Sequence, residues 1–326
     1  MPSVATRRLN GVTALLLWSG LLLFGVFYGT WQGYGGRRFA VALAVCAVLL
    51  AGEIFFAAPA AGERLHRWIE GRASVAAPLV LFAVWVCYAA GASGWDAKNA
   101  SFAAAYVFVP ALLAASARGR PVGAWQDYAA LLAIWLPAGF HYAYALWPYP
   151  ERFTHTLTIL FGVNVAIATF LLLRRLDGVG YAVEWKRGSS WAVGFNFLCI
   201  AAIVLPLGEA LGFLHFDPSL ARLRATPMAA VGILFFTAWP EEFLFRGLLQ
   251  NLLTRTLKNP TAGLLAASVI FGLSHILHAP FPNWRYVILA TIAGFFYGRA
   301  WMKTGSLFAP CLVHALVDAT WHALFR

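Results

Sequence analysis

The chain has 326 residues, of which 61% are hydrophobic and only 11% charged. Soluble domains carry roughly 25% charged residues, so the composition excludes an ordinary soluble enzyme and points to an all-α, polytopic integral membrane protein lodged in a lipid bilayer. The formal net charge of +11 does not signal a nucleic-acid partner, because the basic residues lie in short loops between apolar runs, as they do where charge sets membrane orientation.

Arg7 and Arg8 precede an apolar run over 12–28. That run is long for a signal-peptide core and lacks a clear small-x-small cleavage site, so it reads as a first span. A span needs roughly 20 apolar residues, and runs of about that length fall at 11–31, 39–59, 74–94, 100–117, 127–147, 155–173, 191–213, 228–254, 261–279, 286–302 and 306–325. The bundle is therefore expected to have about eleven transmembrane helices, or ten if the run interrupted by Pro110 does not span. Counting Lys and Arg loop by loop places Arg7, Arg8, Arg64, Arg67, Arg72, Arg118, Arg120, Arg174, Arg175, Lys186, Arg187, Arg255, Lys258, Arg299 and Lys303 on the side of the N-terminus. Fewer fall opposite, which predicts a cytoplasmic N-terminus; the membrane is expected to be a bacterial plasma membrane. The basic, Gly-rich stretch 174–190 marks an expected boundary between an N-terminal transmembrane region, 1–180, of unassigned role and a C-terminal core, 190–326. Cys46, Cys87, Cys199 and Cys311 sit in separate apolar runs without CxxC spacing and read as small core residues.

The C-terminal core contains what the rest of the chain avoids. Trp239-Pro240-Glu241-Glu242-Phe243-Leu244-Phe245-Arg246-Gly247 puts two glutamates and an arginine inside an apolar stretch. One ionised side chain at mid-membrane costs at least about 2.5–3.5 kcal/mol, so such residues mark function by default. Glu242 and Arg246 are spaced to pair on one helical face. Glu241, about 100° away on the helical wheel, has no local partner. Phe271-Gly272-Leu273-Ser274-His275 places a histidine in the ninth span, and His314-Ala315-Leu316-Val317-Asp318 places a histidine and an aspartate on one face of the eleventh. Buried polar groups in lipid seek one another, so these residues are expected to converge.

A carboxylate and imidazoles around one polar cavity can bind a metal through nitrogen and oxygen. Alternatively, a glutamate can deprotonate a water held by a histidine while other donors hold the oxyanion. Both chemistries hydrolyse amides. If a divalent metal such as zinc is present, Glu241, His275, His314 and Asp318 are its ligands; otherwise no cofactor is implied. Two further classes use the same cluster differently: a non-proteolytic binding or immunity scaffold, and a proton-coupled transporter. Other polar positions have plainer readings. His278 and His322 lie near span ends and extend the site only if they face it. His141 belongs to an aromatic interface, and Glu53 and Glu209 are intramembrane carboxylates with no assigned role. Gly-Ala-Ser-Gly at 91–94 reads as a turn and not as a serine-protease motif.

Taken in order, Glu-Glu-x-x-x-Arg, Phe-x-x-x-His and His-x-x-x-Asp resemble the CPBP family, the type II CAAX prenyl endopeptidases and their bacteriocin-processing and immunity relatives, over roughly 190–326. The resemblance implies an intramembrane endopeptidase acting on a membrane-associated or CAAX-like protein or peptide. It implies that Glu241 and His275 activate water, that His314 and Asp318 hold the oxyanion or line the site, and that Glu242 and Arg246 shape it. One position departs from the family: prenyl-protein endopeptidases typically carry Asn where this chain has Asp318. An ionised Asp cannot donate a hydrogen bond. Asp318 is left as a protonated donor, an orienter of His314 or a metal ligand.

Overall fold

The computed structural model describes residues 6–58 and 75–326. The expected basic loop with Arg64, Arg67 and Arg72 lies outside the described residues. Among the described residues eleven long helices follow one another: α1 Gly11–Trp31, α2 Gly36–Ala57, α3 Ala76–Ser93, α4 Ala97–Ser116, α5 Trp125–Gly139, α6 Glu151–Leu173, α7 Ser189–Ala210, α8 Leu220–Leu257, α9 Pro260–Leu273, α10 Trp284–Thr304 and α11 Phe308–Leu324. Seven of them, α1 to α4 and α6 to α8, are long and apolar enough to cross a membrane. The chain is thus an all-α integral membrane protein.

Capping side chains set several boundaries. The oxygens of Asn10, Asp96, Ser219, Asn259 and Asn283 accept backbone N–H bonds from the first turns of α1, α4, α8, α9 and α10. Each satisfies a donor that the helix cannot. Pro260 and its fixed φ begin α9 directly after its Asn cap. Pro110 does not break α4, which runs through it as one helix.

Three boundaries differ from expectation by six residues or more. The fifth run was expected to continue to 147, but α5 stops at Gly139, two residues after Pro137. His141 then takes a left-handed φ of 62°, and Tyr142–Leu146 is a separate 3₁₀ turn. The eighth helix begins at Leu220, eight residues before the expected 228, because the Ser219 cap starts it ahead of the apolar run. The ninth ends at Leu273 and not at 279. Pro280 and Pro282 lie just beyond; proline has no N–H to continue a helix and disfavours helical backbone in the residue before it.

The helices gather in two compact units, Arg8–Asp177 and Gly178–Arg326. In the first, α6 is the inner helix, with 83% of its apolar window buried. Asn164 of α6 donates to the Leu49 carbonyl of α2 at 2.8 Å, and Gly52 leaves room for it, since a Cβ there would fall 1.8 Å from Asn164 Oδ1. A buried Asp127–Arg174 pair at 2.7 Å ties α5 to the end of α6. Of the four cysteines only Cys46 and Cys311 are buried; Cys87 is exposed on α3, so the core reading fails for it.

In the second unit, α9 and α10 approach closely at Gly272. A Cβ on that residue would lie 1.9 Å from Thr291 Oγ1 and 2.6 Å from the Val287 carbonyl oxygen. The chain end closes the other side of this unit: His215 and Arg326 exchange two backbone hydrogen bonds of 3.0 Å each.

Gly272→Ala is expected to force α9 and α10 apart, because a backbone carbonyl cannot rotate away. Overpacking of this kind costs about 1–3 kcal/mol. Gly232→Ala in α8, where a Cβ meets nothing within 4 Å, is expected to be neutral or stabilising. Thermal unfolding of the two variants in detergent checks this. Equal melting temperatures would show that the α9–α10 contact is looser than described.

Candidate active site

The site is built on α8, where the helix is least regular. Pro240 cannot donate to the carbonyl four residues back, and its ring crowds that carbonyl. The chain widens into a π turn at Leu234–Ala238 just before it and again at Phe243–Gln250 just after Glu242. Such widened turns recur at functional sites. Tyr181 packs edge-on against Trp239 and Phe243 on either side of the two glutamates.

Glu242 is the hub. Its Oε2 accepts from Arg246 Nε at 2.9 Å, and its Oε1 accepts from His314 Nδ1 at 3.0 Å. The side chains of Glu242 and Arg246 are both fully buried. The pairing expected from their spacing is present, as a single bond through Nε and not as a two-pronged fork. The outer guanidinium nitrogens of Arg246 make no hydrogen bond among the described residues. Instead the guanidinium lies over the Phe271 ring at 4.9 Å and near the Tyr297 ring at 5.9 Å, where the negative faces of the rings attract it. Gly294 makes room for this: a Cβ there would sit 2.9 Å from Phe271 and 3.5 Å from an Arg246 nitrogen.

The bond to Glu242 fixes the His314 ring. Nδ1 carries the proton it donates, so Nε2 is the atom turned the other way. It lies 3.5 Å from Asp318 Oδ2 and 4.0 Å from Glu241 Oε2. Tyr297 stacks flat on the same ring, with centroids 4.6 Å apart and planes 12° apart. Glu241 differs from its neighbour in surroundings as well as partners, for its side chain is 34% exposed.

His275 sits in the turn that follows α9. Its Nδ1 is 2.8 Å from the Phe271 carbonyl oxygen, and Ser274 Oγ donates to that same oxygen at 2.7 Å. The carbonyl can only accept, so Nδ1 carries the proton and Nε2 is left as the acceptor of the neutral ring. Phe271 bridges the two histidines, its ring 4.8 Å from that of His275 and 6.0 Å from that of His314. His275, His314 and Asp318 line one cavity of about 70 Å³ with Tyr286 and Trp321. At about 30 Å³ per liquid water, this admits a couple of waters.

All six expected residues are therefore close together. His278 joins them at the rim, its exposed ring stacked 5.5 Å from His275. His322 and Glu209 are exposed, and His141, Glu53 and the 91–94 turn belong to the other unit. The sequence reading missed Tyr286, which packs 4.5 Å from His275, and Tyr297, which stacks on His314. Tyr297 falls four residues before Trp301 in an aromatic-rich helix, where nothing in the sequence sets it apart.

Among the described residues no group of three or more His, Cys, Asp and Glu side chains is arranged to hold a metal ion. The four conditional ligands do not form such a set. Both histidines spend Nδ1 on protein acceptors, which leaves only Nε2 of each for any further bond.

Arg246→Met is expected to strand the Glu242 charge and to destabilise the fold by about 3–5 kcal/mol. Adding Glu242→Leu is expected to recover part of that loss. Recovery stays incomplete because His314 Nδ1 then loses its acceptor. Thermal unfolding of the single and double variants decides; a double variant no more stable than Arg246→Met would refute the pairing.

Comparison with known proteins agrees with the motifs. Residues 223–320 match the family described as type II CAAX prenyl endopeptidase Rce1-like. The matched segment contains all three motifs and is narrower than the 190–326 expected. A Bacillus subtilis (strain 168) protein, described as uncharacterized protein YpbD, is 34% identical over 97 residues, covering 29% of this chain and 46% of the relative. The chain thus matches less than half the length of that relative. No solved structure matches. The residues that match the Rce1-like type II CAAX prenyl endopeptidase model, 223–320, are those that carry the clustered glutamates, histidines and aspartate.

Proposed function

We propose that the chain is a glutamate/histidine intramembrane endopeptidase that hydrolyses a peptide bond in a membrane-associated or CAAX-like protein or peptide. The observation that carries this reading is the division of labour around His314. Glu242 pairs with Arg246 and holds the ring through Nδ1, while Glu241 and Asp318 stay turned toward its other nitrogen.

A water between Glu241 and His275 donates one hydrogen to His275 Nε2 and gives its other proton to the Glu241 carboxylate. The water oxygen attacks the scissile carbonyl carbon, and the carbonyl π pair moves onto oxygen. His314, doubly protonated so that Nε2 carries a hydrogen while Nδ1–H stays on Glu242, and a protonated Asp318 donate to that oxyanion and keep their protons throughout. When the oxyanion collapses, the C–N bond breaks and Glu241 returns its proton to the departing amine. Glu241 thus ends ionised, and one water has been consumed. Tyr286 and Tyr297 keep the two rings in register and exclude bulk water. Placing the N-terminus in the cytoplasm rests on the Lys/Arg distribution, and it and a bacterial plasma membrane are part of the same proposal.

The test is cleavage of a quenched fluorescent CAAX-like peptide by the purified chain in detergent. His275→Gln is expected to lower turnover about 10²-fold or more, the usual size of a lost acid–base contribution, with little change in melting temperature. Wild-type turnover in this variant would refute the role of His275. Asp318→Asn is expected to retain turnover, because the amide donates without needing a proton. A large fall would instead make Asp318 an ionised orienter of His314. Absence of any cleavage, with a proton-driven flux in proteoliposomes, would replace the enzyme with a transporter.

A further inference from the structure

A second cavity, of about 400 Å³, lies apart from the glutamate–histidine cluster, between the start of α7 and the end of α10. Its volume falls within the ~300–1,000 Å³ typical of small-molecule sites. Lys186, Arg187, Arg299 and Lys303 line it. Lys186 is committed, bonding Glu184 at 3.1 Å and the Thr304 carbonyl oxygen at 3.1 Å. Arg187, Arg299 and Lys303 have no carboxylate partner among the described residues. The Arg299 guanidinium lies 4.8 Å over the Phe195 ring, which holds its plane and leaves its edge for a ligand. The first turn of α7 adds the positive end of a 22-residue helix.

Orientation alone explains basic residues at helix ends. It does not explain a cavity, nor what lies within it. Asn196, two turns into α7, lines the cavity and is only 2% exposed. Its Nδ2 donates to the Ala192 carbonyl at 2.6 Å, which fixes which end of the amide is which. Its Oδ1 has no hydrogen-bond partner among the described residues. Buried polar atoms are nearly always paired, and an amide oxygen takes a donor such as a hydroxyl.

We propose that this cavity binds a phosphate ester that also carries a hydroxyl, with Arg299, Lys303 and Arg187 on the phosphate and Asn196 Oδ1 on the hydroxyl. Anionic phospholipid headgroups of the glycerol type have this chemistry, and so do soluble sugar or glycerol phosphates. Basic pockets between membrane helices are suited to anionic headgroups. The exposed Trp191 at the rim provides an interfacial anchor beside it.

The experiment is native mass spectrometry of the purified full chain, titrated with phosphatidylglycerol, phosphatidic acid and phosphatidylcholine of identical acyl chains, and separately with glycerol 3-phosphate. Phosphatidylglycerol is expected to bind about tenfold or more tighter than phosphatidylcholine, and tighter than phosphatidic acid, whose headgroup has no such hydroxyl. Arg299→Gln with Lys303→Gln is expected to abolish the preference over phosphatidylcholine. Asn196→Leu is expected to abolish the preference over phosphatidic acid while leaving that over phosphatidylcholine. Glycerol 3-phosphate binding as tightly as the lipid would assign the site to a soluble phosphate ester; much weaker binding would assign it to the lipid. Equal binding of phosphatidylglycerol and phosphatidylcholine, or a preference unchanged in the folded Arg299/Lys303 variant, would overturn the site. The basic residues lie at the ends of α7 and α10, so this variant keeps the test open even if Asn196→Leu does not fold.

Discussion

One carboxylate organises the C-terminal unit. Glu242 gives one oxygen to Arg246 and the other to His314, and so joins α8 to itself and to α11 within a fully buried environment. A buried ion pair is poor evidence of stability, since desolvation can outweigh the attraction. Its value here is positional. With Nδ1 of His314 held by Glu242 and its face covered by Tyr297, the ring has one orientation, and its second nitrogen faces Glu241 and Asp318. The adjacent glutamates therefore differ in kind. One is sealed and doubly bonded; the other is partly exposed and only loosely approached.

The backbone that presents them is irregular for identifiable reasons. Pro240 obliges α8 to widen before it, and a second π stretch follows. Gly272 and Gly294 let α9 and α10 come close enough for Phe271 to lie against Arg246 and both histidines. At about 1.5 Å per residue, the 14 residues of α9 span roughly 21 Å, well short of a hydrocarbon core of about 30 Å. His275 therefore rides on a turn, and that turn is tolerable in lipid because its freed carbonyls are met by side chains, those of Ser274 and His275 at Phe271 among them.

Much of this was legible in the sequence because the membrane punishes polar residues. Glu241, Glu242, Arg246, His275, His314 and Asp318 stood out against apolar neighbours, and four-residue spacing alone anticipated the Glu242–Arg246 bond. The hydropathic runs located each of the eleven long helices among the described residues. Their ends were less legible. Arg222 and Arg224 concealed the start of α8, since a capped first turn can be polar. Ile276 and Leu277 prolonged the apparent ninth span, though Pro280 argued for an earlier stop. The second bond of Glu242, to His314, joins residues 72 apart in sequence and could not be read from local spacing. Tyr297 and Tyr286 were hidden for a different reason: aromatics are common throughout the chain, and only packing distinguishes a ring that stacks on a histidine.

The account rests on the two glutamates having different tasks, and the most direct measurement is turnover and melting temperature recorded side by side for Glu241→Gln and Glu242→Gln. Glu241→Gln keeps the shape and removes the base, so it should melt as the wild type does and lose turnover. Glu242→Gln should lower the melting temperature, since Arg246 loses its counter-charge. A Glu241→Gln variant that cleaves peptide at the wild-type rate, or one that destabilises the fold as much as Glu242→Gln, would contradict the account.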